Sequence, residues 1–268
     1  MEVQLKITLL AEYYLPRLGG VEFMIDDLAR TLADRRHEVR VLTTTPESTE
    51  EQGARVPSVP LLRAEDFEVV RISSLRVPMM GVPISPLLPR RLREDLIEWS
   101  PDVVHVHASI ASAGALAGGW AAHSLGLPLV VTFHSTLGRH KWVYELSHAL
   151  TRWGSWPQVV AGVSPMVADG VSRVLDRPTT VLANGVDIGW WSAGHSVSAP
   201  ARNCINLVTV QRLKHRKRGS ALLEVVAAVE ERLPDGHTLR VTFVGDGPRR
   251  SALERQAYRL GVDAKFLG

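Results

Sequence analysis

The feature that most constrains this chain is an alternation of short apolar runs with longer stretches of helical period. The runs KITLLAEYY, EVRVLTTT, FEVVRISS, DVVHVHA, LPLVVTFHS, QVVAGVSP and TTVLANGVD recur along the first two thirds of the sequence. Between the first two, VEFMIDDLARTLADRR places Val21, Ile25, Leu28 and Leu32 on one helical face and charge on the other, so Asp26 and Asp27 read as solvated. Strands this continuously apolar must be covered on both faces. Helices between parallel strands do that, whereas hairpins leave one face wet. The expectation is a doubly wound α/β domain over residues 1–188.

Residues 189–201, GWWSAGHSVSAPA, have no apolar period and read as a linker. The alternation then restarts over 202–268: INLVTV, a helix from Ser220 to Leu233, TLRVTFVGD, a helix from Pro248 to Leu260, and DAKFLG. Three strands and two helices make the first part of a second Rossmann-like domain. The proline-punctuated stretch from Pro46 to Pro89 is either a functional loop or a surface excursion.

Composition removes several classes. Cys204 is the only cysteine among 268 residues, which excludes an internal disulfide and a multi-thiolate zinc site and fits a reducing cytoplasm. The N-terminus lacks the cleavage pattern of a signal peptide. IASAGALAGGWAAHSLGLPLVV approaches membrane-spanning length, but His123, its glycines and Pro128 break it into a buried helix, a turn and a buried strand. A formal charge of +3 suits an anionic ligand or a membrane surface as well as nucleic acid.

Ligands of open α/β sheets sit at the carboxyl ends of strands, beside helix N-termini. Gly19 and Gly20 occupy such a junction, as a phosphate approach or as a tight turn alone. In VVHVHAS, His105 and His107 point the same way, and His134 ends the next strand. Three histidines could ligate zinc, yet no carboxylate ligand stands beside them, so no metal is expected. A polar role at a cleft falls to His134, and a structural one to His105. QRLKHRKR sets Arg212 directly after a strand and Lys217 before a helix, where a fork and a point charge suit one pyrophosphate. No aromatic residues interleave with that cluster, so nucleic acid is not expected as a partner. VGDGPRR repeats the glycine-rich strand end with Gly245 and Gly247.

Taken in order, PRLGGVE, HEVRVLTT, DVVHVHAS, LPLVVTFH, GVSPMVAD, VLANGVD, QRLKHRK and GDGPRRSALE resemble glycosyltransferase family 4, retaining enzymes of the two-domain GT-B architecture. The resemblance implies a nucleoside diphosphate sugar donor held by the C-terminal domain, and a glycan, lipid or small-molecule acceptor on the N-terminal one. It implies that His134, Arg212 and Lys217 act on the donor sugar and pyrophosphate. Gly19, Gly20, Asn184, Gly185, Gly245 and Gly247 would line the donor, with no metal or other cofactor.

The chain departs from the pattern at Gln211 and Arg218, where the family has glycine, and at its end, since no Glu-x7-Glu motif follows FLG. If Gly268 is the true C-terminus, weak donor binding and little transfer are expected. A noncatalytic glycan-, lipid- or partner-binding module and a sugar-nucleotide epimerase remain the alternatives. The expected location is cytoplasmic. PRRLREDLIEW and RHKWVYELSHALTRW leave open a peripheral contact with the inner membrane face, against a plainer reading as helices packed on the sheet.

Overall fold

A computed structural model describes residues 3–47, 67–73, 75–76, 83–109, 112–138, 141–186, 188–192 and 203–268. The central part of the 46–89 stretch lies outside them. The chain divides into two compact units, Met1–Asp187 and Ile188–Gly268.

The first unit runs β1 (Lys6–Ala11), α1 (Gly20–Asp34), β2 (Glu38–Thr43), β3 (Glu68–Arg71), the two-residue strands β4 (Leu75–Arg76) and β5 (Pro83–Ile84), α2 (Leu88–Trp99), β6 (Val103–Ala108), α3 (Ala113–Ser124), β7 (Leu129–Phe133), α4 (Lys141–Thr151), β8 (Val159–Gly162), α5 (Pro165–Leu175) and β9 (Thr180–Val181). Seven strands form one sheet in the order β3-β2-β1-β6-β7-β8-β9, every neighbouring pair parallel, while β4 and β5 pair antiparallel on their own. TTVLANGVD contributes only Thr180 and Val181 to the sheet, as a short edge. The direction of strand addition reverses between β1 and β6, and this switch point is where an open sheet leaves a crevice at its carboxyl edge.

Alternation of side chains divides the core in two. Ile7, Leu9 and Ala11 pack with Ile25 and Ala29 of α1 on one face. On the other, Leu10, Val104, Val106, Val131 and Phe133 pack with α2, α3 and α5. The long apolar stretch of the sequence is resolved as α3, a turn and β7. Among the described residues no helix is long and apolar enough to cross a membrane. Helix α3 lies close on β1: a Cβ built on Gly118 would come 2.3 Å from a Leu10 methyl. Ser164 caps α5 by accepting from the Val167 N–H at 3.4 Å, with Pro165 in the first turn.

The second unit runs α6 (Ile188–Ser192), β10 (Cys204–Val210), α7 (Gly219–Glu230), β11 (Thr238–Val244), α8 (Arg250–Leu260) and β12 (Asp263–Leu267). Its three strands are parallel in the order β10-β11-β12. Leu239, Val241 and Phe243 of β11 pack with Leu223 and Val226 of α7 and Leu253 and Ala257 of α8.

Candidate functional site

Three of the anticipated residues lie at the carboxyl edge of the first sheet. Gly19 and Gly20 open α1 beyond the end of β1, and His134 follows β7 directly. Gly19 is extended, with φ at −179°, so its value is room and not a special dihedral. A Cβ there would stand 2.2 Å from the Glu22 carboxylate, while Gly20 faces open space. Glu22 is buried and lies 3.6 Å from the Arg17 guanidinium, which stacks 3.7 Å from the Tyr13 ring. The first turn of α1 thus carries a carboxylate of its own, favourably placed against the helix dipole.

Asp26 is not solvated. It is buried, accepts from the Tyr14 hydroxyl at 2.5 Å and from Arg30 Nε at 2.9 Å, and anchors the loop after β1 to α1. Burial, and then the bond to Asp26, raise the Tyr14 phenol above its usual range. The apolar period had assigned this aspartate to the wet face, because a phenol 12 residues away leaves no trace in a helical pattern. Asp27 is exposed along one side of the same helix.

The histidines form a connected group across β6 and β7. His105 Nε2 and Thr132 Oγ1 are 2.8 Å apart, the His105 and His107 rings are 4.2 Å apart, and His107 Nδ1 and His134 Nε2 share a hydrogen bond of 3.0 Å. Burial lowers all three pKa values, those of His105 and His134 to about 4 and that of His107 well below its usual range, so the rings are neutral near pH 7. His107 Nε2 and His134 Nδ1 are enclosed and have no hydrogen-bond partner. Ala11 at the end of β1 pairs in register with His107, which therefore sits at the switch point itself.

Among the described residues no group of three His, Cys, Asp or Glu side chains is arranged to hold a metal. The link from His107 to His134 was missed in the sequence, although the His-x-His spacing marked its first member. Glu12 was missed as well: buried just after β1, it accepts from the Gly114 N–H at 2.9 Å and ties β1 to the start of α3. Asn184 and Gly185 are exposed in the segment after β9.

In the second unit the carboxyl ends of β10 and β11 are laced together. Gln211 N–H donates to Val244 O at 3.0 Å, Leu213 N–H to Asp246 O at 2.8 Å, and Arg249 N–H to Leu213 O at 3.0 Å. Gly245 and Gly247 allow this approach. Their φ values are 124° and 156°, and added Cβ atoms would stand 2.3 Å from Gln211 O and 2.6 Å from Leu213 O, backbone atoms that cannot swing aside. These glycines therefore have a packing reason sufficient in itself: they fix the loop that carries Arg212 and Lys217. Lys217 is exposed in the single turn His215–Lys217, and Arg212 is half-buried at its start. Arg218 caps α7 in the left-handed region, at φ 57°, where the family pattern has glycine.

Two parallel nucleotide-binding-type folds with polar residues gathered at their carboxyl edges define a GT-B-type α/β protein, and solved structures agree. HepE of Anabaena, crystallised in complex with UDP, superposes with a TM-score of 0.68 at 20% identity, covering 98% of this chain and 69% of that one. The model of Glycosyltransferase Family 4 matches residues 18–190, and the chain belongs to that family. It is 23% identical over 269 residues to a phosphatidyl-myo-inositol mannosyltransferase of Mycobacterium leprae, covering 98% of this chain and 67% of the relative. It is 24% identical over 192 residues to a GDP-mannose-dependent alpha-mannosyltransferase of Corynebacterium glutamicum, covering 71% of this chain and 43% of the relative. The chain thus spans about two thirds of the length of the first and less than half of the second.

Proposed function

We propose that this chain serves retaining transfer of a sugar from a nucleoside diphosphate sugar to a glycan, lipid or small-molecule acceptor. The observation that carries the reading is the neutral, partly unpartnered His134 at the carboxyl edge of the first sheet, in a chain of this family. In the proposed step the C1–O bond to the diphosphate breaks and an acceptor oxygen bonds to C1 on the same face. The acceptor proton passes to a departing phosphate oxygen, so no protein base is needed. Charge builds on both fragments. Arg212 and Lys217 offset the negative one, taking the role a divalent ion has elsewhere, and His134 binds the sugar. Gly19, Gly20, Asn184 and Gly185 flank the donor, and Gly245 and Gly247 hold the cationic loop in place.

The domain assignment belongs to the same proposal: residues 1–188 on the acceptor side, a linker at 189–201, and 202–268 on the donor side. Relatives whose names specify GDP-mannose and phosphatidyl-myo-inositol make these the first donor and acceptor lipid to try. UDP- and GDP-sugars are mixed with the protein, with and without phosphatidylinositol or sugar acceptors, while nucleoside diphosphate and sugar products are followed. Acceptor-dependent release supports transfer, and Lys217→Ala is expected to lower kcat/KM roughly 100-fold. A donor sugar that changes configuration without any acceptor would instead identify an epimerase, and binding without turnover a noncatalytic module.

Peripheral contact with an anionic lipid surface is part of the proposal. Trp142, Leu146 and Leu150 recur at four-residue spacing along α4 and are 63%, 52% and 77% exposed. The inner side of α4 is held by Tyr144, whose hydroxyl donates to Ser109 O at 2.6 Å, and by Ser147, which accepts from Trp153 Nε1 at 3.0 Å. Failure to sediment with phosphatidylglycerol vesicles would remove this contact.

A further inference from the structure

We infer that His107 is a positioning residue that fixes the tautomer of His134 by donating its Nδ1–H to His134 Nε2. The inference rests on the reading of His134 as the sugar contact. Both rings are neutral, so each carries one proton, and the 3.0 Å bond between them admits two arrangements. If His134 were the donor, the proton of His107 would sit on Nε2. That nitrogen is enclosed, on a side chain only 4% exposed, and has no partner. A buried N–H without an acceptor is the costlier kind of orphan. If His107 is the donor, its Nε2 is merely an unfilled acceptor, and the proton of His134 is placed on Nδ1.

This assignment has a consequence for recognition. His134 Nε2 is occupied by His107 in either arrangement, so Nδ1 is the one ring nitrogen left for a ligand. With His107 as donor, that nitrogen is an N–H, suited to an acceptor oxygen such as a sugar hydroxyl. The other tautomer would present a lone pair. His107 would then touch no substrate yet decide which half of a hydrogen bond His134 can offer.

The remaining contacts leave His107 in this role. His105 is engaged with Thr132 and stacks on His107, bracing the ring from the strand interior. The pairing spans 27 residues and joins β6 to β7, so it holds His134 against the sheet beyond the last residue of its strand.

The test is spectroscopic and independent of turnover. Long-range 1H–15N correlation of the histidine side chains, on protein labelled with 15N-histidine at pH 7.5, reports which nitrogen of each ring is protonated. The expected result is His134 protonated on Nδ1 and bare on Nε2. His107→Asn keeps a side-chain N–H near the Nδ1 position and should preserve that pattern. His107→Leu removes the donor and should shift the His134 tautomer ratio by about fivefold, the effect of one ordinary hydrogen bond. A wild-type His134 protonated on Nε2 overturns the inference even if the leucine variant does not fold. So does an unchanged tautomer in a leucine variant that melts like wild type. Neither outcome depends on whether a sugar is transferred, and loss of the transferase reading would leave the tautomer measurement standing.

Discussion

Acidification from pH 7.5 to 5.5 should destabilise the first unit through its three buried histidines. His105 and His134 titrate at about 4 when folded, against 6.5 for the ordinary imidazole, and His107 lies well below that value. Between these limits the unfolded chain binds more protons than the folded one. The stability is fully present above about pH 6.5 and is lost as the pH falls towards 4. Each depressed histidine contributes about 1 kcal/mol of loss between pH 6.5 and 5.5, so three give about 3 kcal/mol, a large share of a domain's total. Burial raises the Asp95 carboxyl, whose effect has the opposite sign but falls nearer the carboxylate range, so measurement above pH 5.5 isolates the histidines. Urea unfolding followed by tryptophan fluorescence suits the purpose, since Trp99, Trp120, Trp142, Trp153 and Trp156 all lie in the first unit. His107→Asn should reduce the pH dependence by about one third. Equal stability at pH 6.5 and 5.5 would refute the picture of three rings buried neutral.

Three further outcomes follow from local geometry. Gly247→Ala should weaken the second unit by about 3 kcal/mol, because a Cβ meets backbone at 2.6 Å with φ at 156°; a calorimetric transition of that unit left unmoved would contradict it. Arg218→Gly should add about 1 kcal/mol by relieving a left-handed residue at φ 57°, read from the urea midpoint, and a loss of stability would count against strain there. Thr8→Val should gain about 1 kcal/mol in the first unit, since the Thr8 hydroxyl is wholly buried without a partner; a destabilised variant would show that the hydroxyl is satisfied.

The period of the apolar residues made the sheets legible, because covering both faces of parallel strands forces runs such as KITLL and PLVV. Sequence positions also located the carboxyl-edge residues, since those follow strands directly. What stayed hidden depends on neighbours in the sheet. His107 meets His134 only because β6 and β7 pair in one register, and Gly247 needs its missing Cβ because Leu213 O lies beneath it. Asp26 was misjudged for the same reason. A helical wheel records which side of α1 is polar, and it cannot record that Tyr14 comes down onto that side. Helix α7 begins at Gly219 and α8 at Arg250, within two residues of the expected starts.

The meeting of β1 with β6 has a meaning for the history of the chain as well as for its crevice. Ile7 pairs with Val103, so the middle strand lacks one of its neighbours until roughly a hundred residues have been synthesised. Everything emerging in between forms one large loop closed by that pairing. Loop closure entropy grows only logarithmically, so even doubling the excursion would cost about 0.6 kcal/mol. Insertions there are thermodynamically cheap, and their burden falls instead on the time during which an apolar strand waits with one edge open. A lineage can therefore remodel the surface fed by this excursion while the sheet beneath it stays unchanged.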